Sequence, residues 1–254
     1  MLQDSFKTKN GINIRITFIK HASLLIEIGT TENSADKTLY VIAVDPVSEY
    51  ADYSSFTRAD MVLVTHEHYD HCDFKAIQAC SQALTTFVCN SVVAENISKQ
   101  CSKNDNLSIK NLQNGESASL QFDKPSSEPS KNNISKLTIT ALPAYNTSPD
   151  RQKFHPHNGR DNGYLLELDD FKIYIAGDTE DIPEMATLKN KNIDIAFLPV
   201  NQPYTMTPEQ ALNAAKAIHP RVLYPYHYGD TAFNNDFFKT LEQKGIEVRM
   251  RDME

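Results

Sequence analysis

The stretch MVLVTHEHYDH, residues 61–71, is the strongest indication of the fold of this chain. Its apolar start, residues 61–64, predicts a short buried strand. A cluster of metal-binding side chains follows at once: His66, His68, Asp70 and His71. Imidazoles and carboxylates are common ligands of zinc and similar divalent ions. Because a strand that ends here presents the cluster at the rim of a sheet, the pattern favours a metal site over a solvated polar turn.

Three further residues stand where predicted strands end. Asp178 follows the apolar run at residues 171–176 after a glycine, and His227 comes shortly after the run at residues 222–224. The glycine permits a sharp turn that would direct the Asp178 carboxylate out of the strand, although this residue could also cap a helix. His227 fits either a ligand or a packed histidine between tyrosines. Asp45 fits either a turn before proline or a carboxylate that orients a ligand imidazole.

The composition limits the classes of protein to which the chain can belong. It has 254 residues, of which 40% are hydrophobic, and a formal net charge of −8. A single domain over residues 1–254 with a sizeable core is expected. The acidic balance argues against a nucleic acid or an anionic membrane as partner. No apolar run reaches the roughly 18 residues of a membrane span, and residues 1–7 do not resemble a secretory signal.

The cysteines indicate the compartment rather than the chemistry. They form no C-x-x-C pair and are Cys72, Cys80, Cys89 and Cys101. This pattern predicts reduced, mostly buried thiols in a cytoplasmic protein. Cys72 directly follows a histidine and could be a ligand, but the histidines and carboxylates already suffice to fill the coordination positions.

Strands dominate the first half of the chain, and helices intervene later. Alternating apolar residues predict a half-buried strand at residues 12–19. A polar hairpin loop is expected at residues 30–36, and a longer loop at residues 123–133. Thr207 and Gln210 predict a capping box at the start of a helix. This order of elements predicts two sheets that face each other, with helices outside both.

The candidate ligands, in this order and in these strand contexts, resemble those of the metallo-β-lactamase superfamily. The set comprises His66, His68, Asp70, His71, Asp178 and His227. The phrases KHAS, DP, GDT, PYTMT and PYHY, at residues 20–23, 45–46, 177–179, 203–207 and 225–228, are most similar to its branch of small, stand-alone hydrolases. That branch includes the ascorbate-6-phosphate lactonase-like proteins, and the resemblance spans nearly the whole chain.

The resemblance implies an α+β fold, a four-layer αββα sandwich of two mixed β-sheets with helices on both outer faces. It also implies one or two metal ions at the sheet edges, with zinc expected and manganese or iron as alternatives. By this analogy the ligands divide between two ions, with Asp178 as the bridge: His66 and His68 for the first, and Asp70, His71 and His227 for the second.

One position departs from the pattern of that superfamily. A third histidine of the first site is expected after the predicted strand at residues 137–142, but Asn146 stands there. An amide oxygen binds zinc less well than an imidazole does. The first site is therefore expected to be weak, absent, filled by a harder metal, or completed from elsewhere, with His155 and His157 as candidates. Those two histidines otherwise fit a solvated loop.

Two further features bear on the substrate. The loop at residues 148–161 carries Arg151, Lys153 and Arg160, which could receive a phosphate or carboxylate or could simply be solvated. His21 lies at a bend between two predicted strands, where a substrate contact, an additional ligand or a structural role would each fit. These residues are therefore candidates for substrate binding at the rim of the site.

These features predict a metal-dependent hydrolase of a small, anionic ester, lactone or related substrate, acting through a metal-activated water that Asp70 orients. A phosphodiesterase or nuclease of the same fold is one alternative, although the acidic charge disfavours large RNA. A non-catalytic metal- or metabolite-binding module is the other, favoured if Asn146 abolishes catalysis. A small molecule is the expected partner, and a homo-oligomer remains open.

Overall fold

Two β-sheets lie face to face in the computed structural model of the protein, which describes residues 1–32, 35–100, 108–123, 134–232 and 235–254. Within these ranges each sheet has seven strands. Short helices pack on the outer face of each sheet and bury their own apolar clusters there. This architecture confirms the predicted αββα sandwich of two mixed sheets.

The first sheet is built from the first half of the chain, with its strands in chain order. They are β1 (Leu2–Lys7), β2 (Asn13–Lys20), β3 (Ser23–Glu32), β4 (Ala35–Val44), β5 (Ala59–Leu63), β6 (Ser81–Cys89) and β7 (Ser108–Asn111). Strands β1 to β4 pair antiparallel, and β4 to β7 pair parallel. Parallel neighbours need crossover connections. The 3-10 helix Tyr53–Ser55, α1 (Phe74–Cys80) and α2 (Ser91–Gln100) lie in these connections.

The second sheet repeats this plan with the second half of the chain. Its strands are β8 (Ser117–Asp123), β9 (Ile134–Pro143), β10 (Asn162–Leu168), β11 (Phe171–Ile175), β12 (Ile195–Pro199), β13 (Val222–Tyr226) and β14 (Glu247–Val248). Antiparallel pairing joins β8 to β11, and parallel pairing joins β11 to β14. The helices between the parallel strands are the 3-10 helices Pro183–Lys191 and Asn235–Phe238, α3 (Pro208–Ile218) and α4 (Lys239–Glu242).

The main apolar core lies between the two sheets. Ile14, Ile16 and Phe18 on β2 are each at most 1% exposed. Their spacing of two residues puts all three on the same face of the strand, as the alternating sequence predicts. The ring centroid of Phe18 lies 5.0 Å from that of Tyr224 on β13. Each such buried side chain contributes about 1.5–3 kcal/mol, so the core holds the two sheets, and with them their strand ends, in a fixed relation.

Local predictions had mixed outcomes. The capping box is confirmed, because the Thr207 hydroxyl accepts from the Gln210 backbone N–H at 3.1 Å and the Gln210 side chain accepts from the Thr207 N–H at 2.9 Å. The hairpin loop predicted at residues 30–36 is wrong in extent, because β3 and β4 continue their pairing through most of it. Ladder pairing there outweighs the polar composition. The loop predicted at residues 123–133 lies outside the described residues except for Asp123.

The described cysteines are internal packing residues. Cys72, Cys80 and Cys89 are buried and free, and Cys101 lies outside the described ranges. Burial raises the pKa of each of these three thiols to about 12, so each is protonated at neutral pH and packs as a small apolar side chain. Across the described part of the chain, no helix is both long and apolar enough to span a membrane.

Candidate metal centre

Histidine and aspartate side chains from both sheets meet where parallel strands end. His66, His68, Asp70 and His71 follow β5, Asp178 follows β11, and His227 follows β13. His155 from the β9–β10 connection and His21 from the β2–β3 turn join them. Two groups result, and within each group the candidate ligand atoms all lie within 4.8 Å of one another. The first group is His66, His68, His155 and Asp178, and the second group is His21, Asp70, His71 and His227.

The Asp178 carboxylate lies between the two groups and faces each with a different oxygen. Its Oδ2 lies 3.3 Å from His155 Nε2 and 3.9 Å from His66 Nε2. Its Oδ1 lies 3.3 Å from His71 Nε2 and 3.4 Å from His227 Nε2. Among the described residues, Oδ1 is buried without a hydrogen-bond partner. Because a buried carboxylate oxygen without a partner is costly, this arrangement fits a pair of cations, one on each side of Asp178.

The imidazole nitrogens also face one another across each group. His66 Nε2 lies 3.0 Å from His68 Nδ1, and His71 Nε2 lies 3.0 Å from His227 Nε2. Two nitrogens on one tetrahedral zinc ion at about 2.0–2.1 Å are separated by roughly 3.3 Å. The spacing of both pairs is therefore close to that of ligands on a common ion, and the nitrogen-rich donor set suits zinc or iron better than magnesium or calcium.

The electrostatics of the centre keep His66, His227 and Asp178 in ligand form. Burial and the neighbouring imidazoles hold the pKa of His66 well below its usual range. Burial, aided by the neighbouring imidazoles, lowers the pKa of His227 to about 4. Burial alone would raise the pKa of Asp178, but the facing imidazoles, with His227 first among them, hold it well below its usual range. Neutral imidazoles and an ionised carboxylate are the protonation states that bind metal ions. Burial also lowers the pKa of His71 and of His155, but the carboxylates beside them outweigh it and raise the pKa of His71 well above its usual range and that of His155 to about 9.

A glycine turns the Asp178 carboxylate into the centre, as the sequence predicts. Gly177 has a φ of +65°, a backbone conformation that favours glycine. A Cβ atom at this position would lie 2.7 Å from the carbonyl oxygen of Asn162. A side chain at residue 177 would therefore displace the β10 backbone or rotate Asp178 out of the centre.

Asp45 lies directly behind His71, on the side away from the centre. Its Oδ2 lies 2.9 Å from His71 Nδ1. The same carboxylate accepts hydrogen bonds from the Thr65 backbone N–H at 2.8 Å and the Thr65 hydroxyl at 2.7 Å. A carboxylate at Nδ1 fixes the tautomer that leaves the Nε2 lone pair directed inward. This geometry is the one expected for an aspartate that orients a ligand imidazole.

Asp161 makes the equivalent contact behind His155, and sequence reasoning missed it. Its Oδ2 lies 3.2 Å from His155 Nδ1, and its Oδ1 accepts from Arg160 Nε at 2.7 Å. Asp161 immediately precedes β10 and is only 2% exposed. The one sequence signal that could have identified it is its position directly before a strand, six residues after His155.

His155, rather than Asn146, stands with His66 and His68. Asn146 is fully buried, and its Nδ2 donates to the backbone oxygens of Tyr204 at 2.7 Å and Arg151 at 3.2 Å. Its backbone N–H donates to the oxygen of His155 at 2.8 Å. Asn146 thus fastens the loop that delivers His155 to the first group.

The remaining loop residues have other contacts. The exposed ring of His157 stacks on Tyr145, with ring centroids 3.8 Å apart, and belongs to neither group. Arg151 pairs with Glu180 at 3.0 Å, and Arg160 pairs with Glu67 at 2.9 Å. These two arginines are therefore engaged with carboxylates. The exposed Lys153 lies over the Phe154 ring, with Nζ 4.9 Å from the centroid.

His21 completes the second group from a strained turn. Its φ is +57°, in the left-handed region that costs a non-glycine residue about 1–3 kcal/mol. Its Nε2 lies 3.3 Å from Asp70 Oδ2, and its ring centroid lies 3.7 Å from that of His227. Burial lowers the pKa of His21, but its contacts with Asp70 and Glu254 outweigh this and raise it to about 9. His227 and Asp45 also have positive φ, so strained backbone concentrates at the centre.

The fold and these two groups define a metal-binding protein of the αββα sandwich class. Residues 42–228 match the model of the beta-lactamase superfamily domain. This range includes every described ligand candidate except His21. The chain therefore belongs to the metallo-β-lactamase superfamily, as its motifs indicate.

Similar proteins agree with this assignment. A solved structure of a candidate metal-dependent hydrolase from Parabacteroides distasonis shares 46% identity, covers 100% of this chain and 99% of its own, and superposes with a TM-score of 0.78. The UPF0173 metal-dependent hydrolase TK0141 of Thermococcus kodakarensis is 29% identical over 85% of this chain and 84% of its own length. Igni18, a metallo hydrolase of Ignicoccus hospitalis, has the same fold, with a TM-score of 0.67 at 23% identity over 94% and 95% of the two chains. The expected enzyme class matches the descriptions of these relatives.

Proposed function

We propose that the protein is a metal-dependent hydrolase with a two-metal centre that cleaves small, anionic esters or lactones. The observation that carries the proposal is Asp178, whose two oxygens face the two groups separately. In this assignment Asp178 is shared, and the other ligands divide into His66, His68 and His155 for the first position and Asp70, His71 and His227 for the second.

The metal and Asp70 would have different roles in hydrolysis. Zinc is the proposed metal, with manganese or iron as alternatives, and such an ion lowers the pKa of water and polarises an ester oxygen. Asp70 is the catalytic carboxylate in this assignment, because its side chain is 21% exposed, whereas that of Asp178 is 4% exposed. Burial raises its pKa, but contacts with His21 and the nearby imidazoles bring it to about 2. Asp70 is therefore ionised at neutral pH and able to orient water and accept its proton.

The proposed substrate class rests on the side chains near Asp70 and the His155 loop. Tyr69 beside Asp70 is 84% exposed, and Tyr204 near the His155 loop is 46% exposed. The Tyr204 and Phe154 rings meet edge to face at 4.9 Å, next to Lys153. Exposed aromatic rings and one lysine suit a small molecule with an apolar part and an anionic group. The net charge of −8 disfavours a large polyanion.

A hydrolysis screen tests this function. Protein purified without chelators is assayed with lactones, carboxylic esters and phosphodiesters, before and after metal removal and after metal is restored. Hydrolysis of a lactone or ester that is lost with the metal and restored by zinc is the expected result. Hydrolysis of phosphodiesters alone would assign the phosphodiesterase alternative. Two bound ions without hydrolysis of any of these substrates would assign a binding module.

A further inference from the structure

A shared pattern supports three of the imidazoles from outside the centre. Each has its Nδ1 close to a carboxylate oxygen. The pairs are His71 with Asp45 at 2.9 Å, His155 with Asp161 at 3.2 Å, and His21 with Glu254 at 3.1 Å. Metal-ligating histidines commonly donate this outer N–H to a carboxylate. His21 therefore has the outer partner of a ligand, although it lies outside the set that the superfamily resemblance implies.

The same three imidazoles share their inner geometry. The Nε2 of His71 and that of His155 each lie 3.3 Å from an oxygen of Asp178. The Nε2 of His21 lies 3.3 Å from Oδ2 of Asp70. In all three cases one imidazole stands between two carboxylates, with the inner carboxylate belonging to the metal centre.

This arrangement favours positive charge between His21 and Asp70. When the Nδ1 proton of a neutral His21 faces Glu254, its Nε2 lone pair faces an oxygen lone pair at 3.3 Å. Either a second proton or a cation can satisfy both atoms. His71 and His227 bring two more nitrogens to the same group, and Asp178 Oδ1 lies beside them without a hydrogen bond among the described residues. These further donors favour the cation.

Glu254 is itself held in place. Its Oε1 accepts from the Tyr228 backbone N–H at 2.9 Å, while its Oε2 faces His21. The His21 backbone is clamped as well, because its N–H donates to Met253 O and its oxygen accepts from the His227 N–H at 3.2 Å. The strained conformation of His21 is thus maintained from two sides, and its imidazole has little freedom to turn away.

We propose that His21 is an additional ligand of the second metal position and that Glu254 orients it. The inference rests on the two-metal centre proposed above and adds a nitrogen donor to it. Residues 253–254 thereby become part of the metal-binding machinery, because they hold the turn and the imidazole of His21.

Two substitutions separate this role from a structural one. His21→Asn keeps a residue type that tolerates positive φ. Its short side chain reaches only the Nδ1 position, so that the inward nitrogen Nε2 is lost. Glu254→Gln keeps the size of the side chain and removes its charge. His219→Asn is the matched control for the first, because His219 is an exposed histidine with a φ of +55°. Asp252→Asn is the control for the second, since Asp252 is an exposed carboxylate nearby.

The readouts are zinc equivalents per chain, zinc affinity by chelator competition, and the absorption spectrum of the cobalt-substituted protein. We expect two equivalents in the native chain and in both controls. In His21→Asn one position should keep its affinity while the other weakens by more than about 100-fold and the cobalt bands change. Glu254→Gln should weaken the same position by about 10- to 100-fold. Circular dichroism checks that the variants are folded.

The result that would contradict the ligand role of His21 differs from the result that would contradict the two-metal centre. Native affinity at both positions and an unchanged cobalt spectrum in His21→Asn would overturn the ligand role and leave His21 as a hydrogen-bond partner of Asp70. Fewer than two zinc equivalents in the native chain would overturn the two-metal centre, and the assignment of His21 with it. The native chain thus tests the proposed function, and the variant tests the inference.

Discussion

The two ligand groups differ in how the chain builds them. The first group takes two imidazoles from one short segment after β5, and its third, His155, comes from a long loop that Asn146 fastens. The second group takes Asp70 and His71 from the same segment, His227 from the end of β13 in the other sheet, and His21 from a strained turn. The first group therefore depends on a loop and the second on the packing of the two sheets, and changes to loop and core should affect the two positions separately.

The largest effect is expected where the groups share a residue. Asp178→Asn removes the charge that faces both groups while preserving the size of the side chain. Because each group loses a ligand oxygen or its charge, zinc affinity should fall by more than about 100-fold at both positions, and hydrolysis should be lost. Chelator competition and metal analysis measure this, with Asp230→Asn at an exposed position as the control. One position with native affinity would mean that Asp178 serves a single group.

Loss of His155 should separate the two groups. His155→Ala deletes an imidazole of the first group and touches no member of the second. Metal analysis should therefore give one equivalent of zinc per chain, with hydrolysis strongly reduced. His157→Ala is the matched control two residues away, and its exposed ring should be dispensable for both ions. Retention of two tightly bound ions in His155→Ala would contradict the first group as assigned.

The carboxylates behind the imidazoles should have smaller and selective effects. Asp45→Asn is compatible with the φ of +42° at this residue and weakens the support of His71, so the second position should bind zinc about 10- to 100-fold more weakly. Asp161→Asn should have the same effect on the first position through His155. Competition titrations of the two variants make the comparison directly. Weakening of the same position by both changes would show that the groups are not separate.

The smallest effect on metal binding is expected at Asn146. Asn146→Ala leaves the backbone oxygens of Tyr204 and Arg151 without this buried donor. This should lower the free energy of unfolding by about 1–3 kcal/mol, with a modest loss of affinity at the first position alone. Denaturant unfolding of the metal-free protein measures the change in the free energy of unfolding. A loss of affinity as large as that of His155→Ala would instead make Asn146 a ligand.

The parts of the candidate centre that could be predicted are those marked by neighbouring residues in the sequence or by the end of a predicted strand. The dense cluster from His66 to His71 directly follows an apolar run, and the ends of β11 and β13 mark Asp178 and His227. Parallel strands of one sheet end at the same edge, which brings Asp178 and His227 together, whereas their approach to the cluster after β5 depends on how the two sheets face each other. The two-sheet architecture could also be predicted, because the alternation on β2 and the order of strands and helices indicate it.

The parts that the sequence could not assign depend on the path of loops and of the last residues. Asn146 occupies the expected position of a histidine, yet the loop brings His155 to the centre, and periodicity carries no information about that path. Asp161 and Glu254 are ordinary carboxylates in sequence and become partners of imidazoles only through tertiary contacts. The extension of β3 and β4 through residues 30–36 likewise depends on pairing with a neighbour rather than on composition.

In the proposed centre two ions are bound with Asp178 between them, and Asn146 leaves no gap in the ligand set. The most direct test is the number of zinc equivalents per chain in native protein prepared without chelators, beside the Asn146→His variant. We expect two equivalents in the native chain and no gain in the variant, because His155 already stands with His66 and His68. One equivalent in the native chain, rising to two in Asn146→His, would contradict it.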